Sequence, residues 1–450
     1  MTLISSESPR DLDGVKYEPA AEDPDRLAAA LWAQDSLTQQ KLRYGNSDPS
    51  RPPWLVASAP FVIEAALAER LERLGTAVGA LCDASRRLYA ANDPSVTSAL
   101  DIGVPPDLRG HGLDRPIELF RLDIVLHNGE PQVTEMEEAF SGVGHMHAFE
   151  QAYGVSASAL FQAFDALGIE RVWMDDTWPT YREENELVAK RLKQEFHRNV
   201  KVGSFLDFHD DGRIGWRFGY VSQLQQYAPA LRQCILTAAD RLVNPPFHGY
   251  GTKALLSLIW DTPASQRLAG VLDDATWTVL RSCVPPCRLL PGSLSPEMTD
   301  RLITERNTTV LKVVSSDDPD LLWGSRGVFF GARGSGARWR RMMDAVAHGR
   351  VPDHPRAHAR YLASDLVDSD RFDIEFLHPH TKQLCRMVRA RVRLTPIYAR
   401  FGTRYQLLCA YATFVNTSRK VHLGSHAVCT PVSTGRQAGV PATTQPRSTA

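Results

Sequence analysis

The sequence lacks an excess of charge of either sign. Its 51 lysines and arginines and 52 aspartates and glutamates leave a formal net charge of −1. Proteins that hold nucleic acid or an anionic membrane surface by electrostatics carry a clear basic excess. The sequence also lacks an apolar run that could span a membrane, since the longest, around Tyr405–Val415, has the length of a buried strand. We therefore expect no nucleic acid and no membrane among its partners.

Features of secreted proteins are missing as well. The opening stretch MTLISSESPRDLDG is polar and acidic, without the charged and apolar regions of a secretory signal. The seven cysteines are odd in number and scattered, which is typical of buried thiols in a reducing compartment. Cys283 and Cys287 are close, but two prolines separate them and no second pair follows, so the spacing does not favour structural zinc. These observations predict a cytoplasmic protein.

The length and the pattern of the chain indicate several lobes. A chain of 450 residues exceeds one ordinary domain, and 43% hydrophobic with 23% charged residues is the usual balance of a folded protein. Helical patterns follow a polar start, helix and strand patterns alternate over 155–245, and strands dominate from 372. We predict a flexible lead-in (1–25), a helical region (26–115), an acidic hairpin region (116–150), an α/β lobe (151–245), a mixed region (246–432) and a disordered tail (433–450).

One hairpin carries a dense acidic face. The extended runs Phe120–Leu126 and Pro131–Glu137 are joined by Asn128-Gly129, and Asn-Gly between two such runs is a strong hairpin signal. Side chains two positions apart share a face of a strand. That spacing places Arg121 with Asp123 on one strand and Glu135 with Glu137 on the other.

Three carboxylates on one face are costly unless a cation lies among them. Mg²⁺ takes oxygen ligands of this kind together with phosphate oxygens, so the face is a candidate metal site. The competing interpretation is an amphipathic hairpin whose acidic face is solvated.

A second candidate group is basic. Lysine is scarce, with nine residues against 42 arginines, and Lys312 lies inside the apolar strand Val310–Val314. The loop Gly324-Ser325-Arg326-Gly327-Val328 follows, and its glycines would let main-chain N–H groups approach a phosphate. The alternative is a lysine extended along an edge strand beside an ordinary turn. The loop matches neither the Walker A pattern nor GxGxxG. Carboxylates for Mg²⁺, a lysine and a glycine loop are together the parts of a phosphoryl-transfer site.

Several segments resemble a known family. FRLDIVLHNGEPQVTEMEE resembles the R-x-D…E-x-N segment of the ATP-grasp superfamily, GTKALLSLIWD after Asn-Pro-Pro resembles N-K-A-L-L, and TTVLKVVSSDDPDLLWGSRGV resembles K-P…G-x-x-G-V. The acidic segment precedes the lysines, which is the order of the circularly permuted glutathionylspermidine synthase-like branch. The resemblance implies two α+β lobes that grip ATP, with an additional α/β substrate lobe. It makes 116–150 the metal-binding hairpin and 246–432 the nucleotide-binding lobes.

The resemblance also implies roles for individual residues. Arg121 matches the residue that stabilises the transferring phosphoryl group. The implied Mg²⁺ ligands, which would also suit Mn²⁺, are Asp123, Glu135 and Glu137, the last standing where the family has Asn. The implied ATP-binding residues are Lys253, Lys312, Gly324, Ser325, Arg326, Gly327 and Val328. Ala363-Ser364-Asp365 lies where the family's adenine hinge often has Gln before an acidic stretch.

Further residues are candidates for substrate contacts. His145 and His147 follow the hairpin and are candidates for binding a substrate or deprotonating an amine, and the alternative is that they have no such role. Arg391 and Arg393 share a strand face that suits a substrate carboxylate, and a surface ion pair is the alternative.

The expected function is an ATP-dependent ligase. The family joins a small-molecule carboxylate to an amine through an acyl phosphate, releasing ADP and phosphate. Amino acids or a small peptide are the expected substrates, in specialised metabolism. Two alternatives remain open: a non-catalytic ATP-binding regulatory module, and a metal-dependent hydrolase that works without ATP.

Overall fold

The computed structural model describes residues 12, 14–42, 51–318, 321, 327–332, 335–351, 354–424 and 426–434, with the backbone alone for 354–356. Over these residues the protein is mixed α+β, as the sequence predicts. The helices are α1 (Pro24–Gln39), α2 (Ala65–Ala90), α3 (Pro94–Leu100), α4 (Val143–Tyr153), α5 (Ser158–Ala166), α6 (Arg182–Phe196), α7 (Pro229–Thr237), α8 (Ala254–Ser257), α9 (Thr262–Ala269), α10 (Asp274–Cys283), α11 (Pro296–Thr304) and α12 (Gly336–Ala347). No described helix has both the length and the apolar character that crossing a membrane requires.

The strands form three sheets. They are β1 (Tyr17–Pro19), β2 (Leu55–Val56), β3 (Phe61–Ile63), β4 (Leu119–His127), β5 (Glu130–Glu137), β6 (Arg171–Met174), β7 (Lys201–Ser204), β8 (Gly215–Phe218), β9 (Leu242–Val243), β10 (Cys287–Leu289), β11 (Thr309–Ser316), β12 (Val328–Phe330), β13 (Arg350–Val351), β14 (His354–Asp365), β15 (Arg371–Leu377), β16 (Leu384–Phe401), β17 (Arg404–Val415) and β18 (Val428–Thr434).

The large sheet holds nine strands. Its main order is β2-β18-β17-β16-β4-β5, while β1 and β15 pair with β16 and β3 pairs with β18. Neighbouring strands are antiparallel except where β18 runs parallel to β2 and β3. Strands from early and late in the chain therefore lie side by side in one sheet.

Helix α2 packs closely on this sheet through an apolar stripe with helical spacing. Gly75 and Gly79 lie against the rings of Tyr398 and Tyr405. A Cβ at either glycine would lie 2.1 Å from a ring carbon, closer than atoms can approach. The two glycines therefore let the aromatic rings lie directly on the helix backbone.

The acidic hairpin is formed by β4 and β5. Asn128 and Gly129 both have positive φ, of 54° and 76°, as a type I′ turn requires. The carboxylate of Asp370 accepts a hydrogen bond from each of their main-chain N–H groups at 2.8 Å. The turn chemistry and this carboxylate together fix the register of the two strands.

The α/β lobe contains a parallel sheet in the order β7-β6-β8-β9. Strands β6 and β8 are buried along their whole length, as is usual for parallel strands. Two buried contacts join this lobe to the large sheet. Arg217 on β8 pairs with Glu138, which follows β5. The side chain of Asn244 accepts hydrogen bonds from the N–H groups of Glu118 and Leu119 and donates to the carbonyls of Leu119 and Glu138.

A five-stranded sheet makes up the remaining lobe. Its order is β10-β14-β11-β12, and β13 pairs with β14. Helices α11 and α12 cover it through an apolar core that includes Leu302, Leu311, Trp339 and Met343. Strand β12 lies at one edge of this sheet.

The predicted segment boundaries need three corrections. Tyr17–Pro19, inside the predicted flexible lead-in, form β1 on the large sheet, and α1 begins at Pro24. The predicted helical region contains β2 and β3, and β18 extends to Thr434, inside the predicted tail. Strands β1, β2 and β3 have only two or three residues each, too few for strand alternation to reveal them. Residues 1–11, 13 and 435–450 lie outside the described residues.

Candidate functional site

Three carboxylates meet on the acidic hairpin. Asp123 lies opposite Glu135, and Arg121 lies opposite Glu137, so all four side chains share one face of the β4–β5 ladder. One oxygen from each of the three carboxylates lies within 4.8 Å of the others. Among the described residues this is the group of His, Cys, Asp and Glu side chains that could hold a metal ion. The structure thus brings together the three residues predicted as metal ligands.

A bulge on β5 sets this geometry. The register shifts between Asp123 and the next residue of β4, which leaves Thr134 as an extra residue on β5. The hydroxyl of Thr134 donates a hydrogen bond of 3.0 Å to the carbonyl of Asp123, which secures the bulge. Glu135 and Glu137 follow the bulge, so they keep a common face.

Two guanidinium groups neutralise part of the acidic charge. Arg121 lies 2.5 Å from the carboxylate of Glu137 and 3.3 Å from Oδ1 of Asp123, and it also donates to the carbonyl of Ser141 at 2.9 Å. Arg393 on β16 donates to Oδ2 of Asp123 at 2.7 Å. All of these pairs are largely buried, so each guanidinium is held in a defined position.

The electrostatics fit a divalent cation. Burial raises the pKa of Glu137 to about 7, Arg121 opposes this shift, and the nearby charges of Asp123 and Glu135 add to it. Oδ1 of Asp123 is buried and accepts no hydrogen bond among the described residues. A hard cation with oxygen ligands would relieve the repulsion and occupy that lone pair, so the donor set suits Mg²⁺ or Mn²⁺.

Two lysines reach the hairpin from different parts of the fold. Nζ of Lys253, at the start of α8, lies 2.8 Å from Oε1 of Glu135. Nζ of Lys312, on β11, donates to the carbonyl of Thr134 at 2.5 Å. Burial disfavours the charged form of both lysines. At Lys253 the charge and hydrogen bond of Glu135 outweigh burial, so the pKa of Lys253 is raised. At Lys312 burial prevails and the pKa is lowered.

The hairpin and Lys312 line a cleft of about 600 Å³ between the lobes. That volume is in the range of small-molecule sites. The five-stranded sheet contributes Val310, Lys312, Val328 and Phe330, and the end of β14 with the two residues after it contributes Ser364, Asp365, Leu366 and Val367. The predicted adenine hinge thus lies partly in the cleft wall. Of the predicted glycine loop, Gly327 and Val328 are described and Val328 lines the cleft, while Gly324, Ser325 and Arg326 lie outside the described residues.

The cleft also contains residues that sequence reasoning missed. They are Thr180 and Tyr181 from the α/β lobe, Tyr411 on β17, and Arg419 and Lys420 in the loop before β18. Only Lys420 had a signal in the sequence, the scarcity of lysine. His422 on the same loop lines the cleft, and burial lowers its pKa.

The two predicted histidines lie elsewhere. His145 is buried in α4, edge-to-face with Trp54 at 5.1 Å and with Tyr411 at 5.8 Å between ring centroids. His147 lies 3.1 Å from Arg191 and packs on Phe161. Neither is among the described residues that line the cleft. Their surroundings suit core packing, and the structure does not bring them to the carboxylates.

The two predicted arginines of β16 contact different residues. Arg393 contacts Asp123 inside the cleft. Arg391 is equally exposed, at 16%, but it pairs with Asp368 at 3.3 Å and donates to the carbonyl of Ser418 at 3.4 Å. The two arginines share a face of β16, and their partners differ: Asp123 on β4 for Arg393, and Asp368 and Ser418 in loops for Arg391.

Comparison with known proteins gives a match of fold. No protein-family model matches the sequence, and no curated protein matches it either. A glutathione synthetase-like effector from Globodera pallida, solved in its apo form, has a TM-score of 0.53 at 12% identity, over 92% of this chain and 98% of that chain. The protein named "Putative gamma-glutamylcysteine synthetase" from Methylobacillus flagellatus has a TM-score of 0.41 at 13% identity, over 86% of this chain and 93% of that chain.

The first of these similarities shows a shared fold. It extends over almost the whole of both chains, and at such low identity it concerns the fold alone. The second score is too low to establish a common fold. The chain is therefore mixed α+β and shares its fold with this glutathione synthetase-like effector.

Proposed function

We propose that the protein is an ATP-dependent carboxylate–amine ligase of the circularly permuted glutathionylspermidine synthase-like branch of the ATP-grasp superfamily. It forms an amide bond, of peptide or γ-glutamyl type, between an amine and amino acids or a small peptide. The observation that carries the proposal is the meeting of three carboxylates with Arg121 and Lys312 in the wall of a cleft of about 600 Å³. Lys253 does not line the cleft but contacts Glu135 beside it. The seven free thiols support a cytoplasmic location.

The chain's own residues would hold the nucleotide and the metal. Asp123, Glu135 and Glu137 are the ligands for Mg²⁺, which when bound would neutralise charge on the phosphate oxygens of ATP. Lys253 and Lys312 would exchange their present hairpin contacts for phosphate oxygens. The segment 364–367 lines the cleft and would contact the adenine.

The chemistry needs activation, because a carboxylate anion resists attack by an amine. An oxygen of the substrate carboxylate attacks the γ-phosphorus, the bond to the β–γ bridging oxygen breaks, and ADP leaves with that electron pair. The amine then attacks the carbonyl carbon of the acyl phosphate and loses a proton, and phosphate departs as the C–O bond breaks. Arg121 and the two lysines stabilise the negative charge of the transferring phosphoryl group. The substrate amine is the nucleophile, so no nucleophilic side chain is required.

A second candidate is an ATP-binding module without turnover. Glu137 stands where the family has Asn, and it holds the guanidinium of Arg121 at 2.5 Å. That contact occupies the guanidinium that the ligase proposal assigns to the transferring phosphoryl group. The neighbour from Globodera pallida is itself described as an effector.

Product release separates the two candidates. The purified protein is incubated with Mg·ATP and pooled amino acids, dipeptides and polyamines, and ADP, phosphate and condensed products are measured by a coupled assay and mass spectrometry. The ligase predicts release that needs both an amine and a carboxylate, with a condensed product. ATP binding without release in any pool supports the module. Absence of ATP binding refutes both.

Variants of the cleft then test the site. We expect Asp123→Asn and Lys312→Ala each to lower kcat by about 10²–10³. The first removes the charge of a proposed metal ligand, and the second removes a positive charge that would stabilise the phosphoryl group. Asp240→Asn and Lys201→Ala are matched controls, because both side chains are exposed and neither lines the cleft. Circular dichroism checks that all four variants keep the fold. Wild-type rates in Asp123→Asn would contradict the site.

A further inference from the structure

A second groove, of about 700 Å³, lies beside the cleft. We call it the β12 groove, because strand β12 and helix α12 form its walls. Val328, Phe330 and Lys420 line both the groove and the cleft, so the two spaces are contiguous. The proposed ligase chemistry assigns no role to this groove.

The β12 groove is strongly cationic. The charged residues that line it are Arg338, Arg341, Asp344, Arg350 and Lys420, with His348 beside them. Arg338 and Arg341 are one turn apart on α12 and both are exposed, so they face the same side of the helix. Among the described residues that line the groove, four carry a permanent positive charge and one a negative charge, whereas the whole chain has a net charge of −1. The groove is therefore a local site for an anionic partner.

The floor of the groove is the open edge of a sheet. Val328, Phe329 and Phe330 all line it, although successive side chains of a strand point to opposite faces. A space that contacts three successive residues runs along the edge of the strand. Among the described residues, β12 pairs with β11 alone, and no strand that they form lies along its other edge.

The hydrogen-bond pattern shows which groups face that edge. The N–H of Gly331 donates to the carbonyl of Thr309, and the N–H of Val313 donates to the carbonyl of Gly327. In an antiparallel pair, alternate residues bond to the partner strand and the others point away. The main-chain groups of Val328 and Phe330 therefore point to the open edge, where an extended peptide can pair with them.

We propose that the β12 groove binds an extended acidic peptide, which continues into the cleft as one of the ligase substrates. Its main chain pairs with the edge of β12, and its carboxylates contact the arginines of α12 and Arg350. The role as substrate rests on the proposed function, whereas the binding itself does not. Nucleic acid could form ion pairs with the positive charges, but it has no peptide main chain that could pair with the edge of β12.

Binding of a defined probe tests this proposal without ATP. The probe is a fluorescein-labelled octapeptide of alternating glutamate and valine, measured by fluorescence anisotropy with the full chain. We expect Arg341→Glu to weaken binding about tenfold, because a charge-assisted contact becomes a repulsion. Arg340→Glu is the matched control, since Arg340 is the next residue of the same helix, is also exposed and does not line the groove. It should bind within about twofold of wild type.

Two altered peptides test the mode of binding. Replacing every glutamate by glutamine, or methylating alternate main-chain nitrogens, should each weaken binding at least about tenfold. Equal binding by the two arginine variants, full binding of either altered peptide, or tighter binding of a single-stranded RNA octamer would overturn the proposal. Peptide binding in a protein with no ligase turnover would overturn the proposed function, whereas the β12 groove would still be a peptide-binding site. Ligation of single amino acids without peptide binding would support the proposed function and overturn the peptide-binding role of the β12 groove.

Discussion

Replacing one buried cation tests how the α/β lobe is joined to the large sheet. The side chains of Arg217 and Glu138 are both 0% exposed, and Nη2 of the arginine lies 2.5 Å from Oε2 of the glutamate. Arg217 also donates to the carbonyl of Gly219. Arg217→Met keeps an unbranched side chain but leaves the carboxylate buried without its counter-charge. Breaking a buried pair in this way costs about 3–5 kcal/mol.

The loss of stability should depend on pH. Burial raises the pKa of Glu138, and Arg217 opposes that shift. In Arg217→Met the opposition is gone, so the pKa of the folded state moves further above that of the unfolded chain. Such a carboxyl group favours the folded state at low pH and disfavours it as pH rises. The variant should therefore differ from wild type more at pH 8 than at pH 5.

Hydrogen exchange of β5 and β8 provides the assay, because a chain of several lobes need not unfold in one step. Arg182→Met is the control, since its pair with Glu186 is 54% and 56% exposed and should contribute under about 1 kcal/mol. The double variant of Glu138→Gln with Arg217→Met should recover part of the loss. If Arg217→Met cost no more than Arg182→Met, or if the double variant recovered nothing, the buried-charge reasoning would be refuted.

Three further outcomes are expected. Gly75→Ala should destabilise the protein by about 1–3 kcal/mol, because the new Cβ meets the ring of Tyr398, and urea denaturation would show this. Burial lowers the pKa of His147 and of His248 to about 4. As pH falls, these imidazoles take up protons in the unfolded chain before they do so in the folded protein, so stability should fall from pH 6.5 to pH 4, by up to about 1.4 kcal/mol per pH unit for each imidazole. An unchanged urea midpoint at pH 5 would contradict this. Lys312→Ala should weaken ATP binding measured by calorimetry, and an unchanged Kd would remove this lysine from the site.

Local chemistry made the hairpin predictable from the sequence. Asn128-Gly129 requires positive φ at both positions, and strand alternation then puts the charged residues on one face. The bulge at Thr134 had no such signal, but it precedes Glu135 and so did not disturb the predicted face.

Contacts between distant parts of the chain were not predictable in the same way. Arg393 and Asp123 are 270 residues apart and meet because β16 lies beside β4. Tyr181 and Tyr411 enter the cleft from two different lobes. His145 was misleading, because proximity to the hairpin in sequence suggested the site, whereas α4 turns its side chain into an aromatic core.

The order of strands in the large sheet has a consequence for synthesis of the protein. The acidic hairpin leaves the ribosome early, but its neighbour β16 begins at Leu384, and β18, which pairs with β2 and β3, comes later still. The early strands therefore lack these sheet neighbours until β16 and β18 have been made. Such late, long-range pairing slows folding and exposes strand edges to aggregation. Expression at reduced temperature or with chaperones should accordingly raise the soluble yield more for this chain than for a protein of similar size built from local contacts.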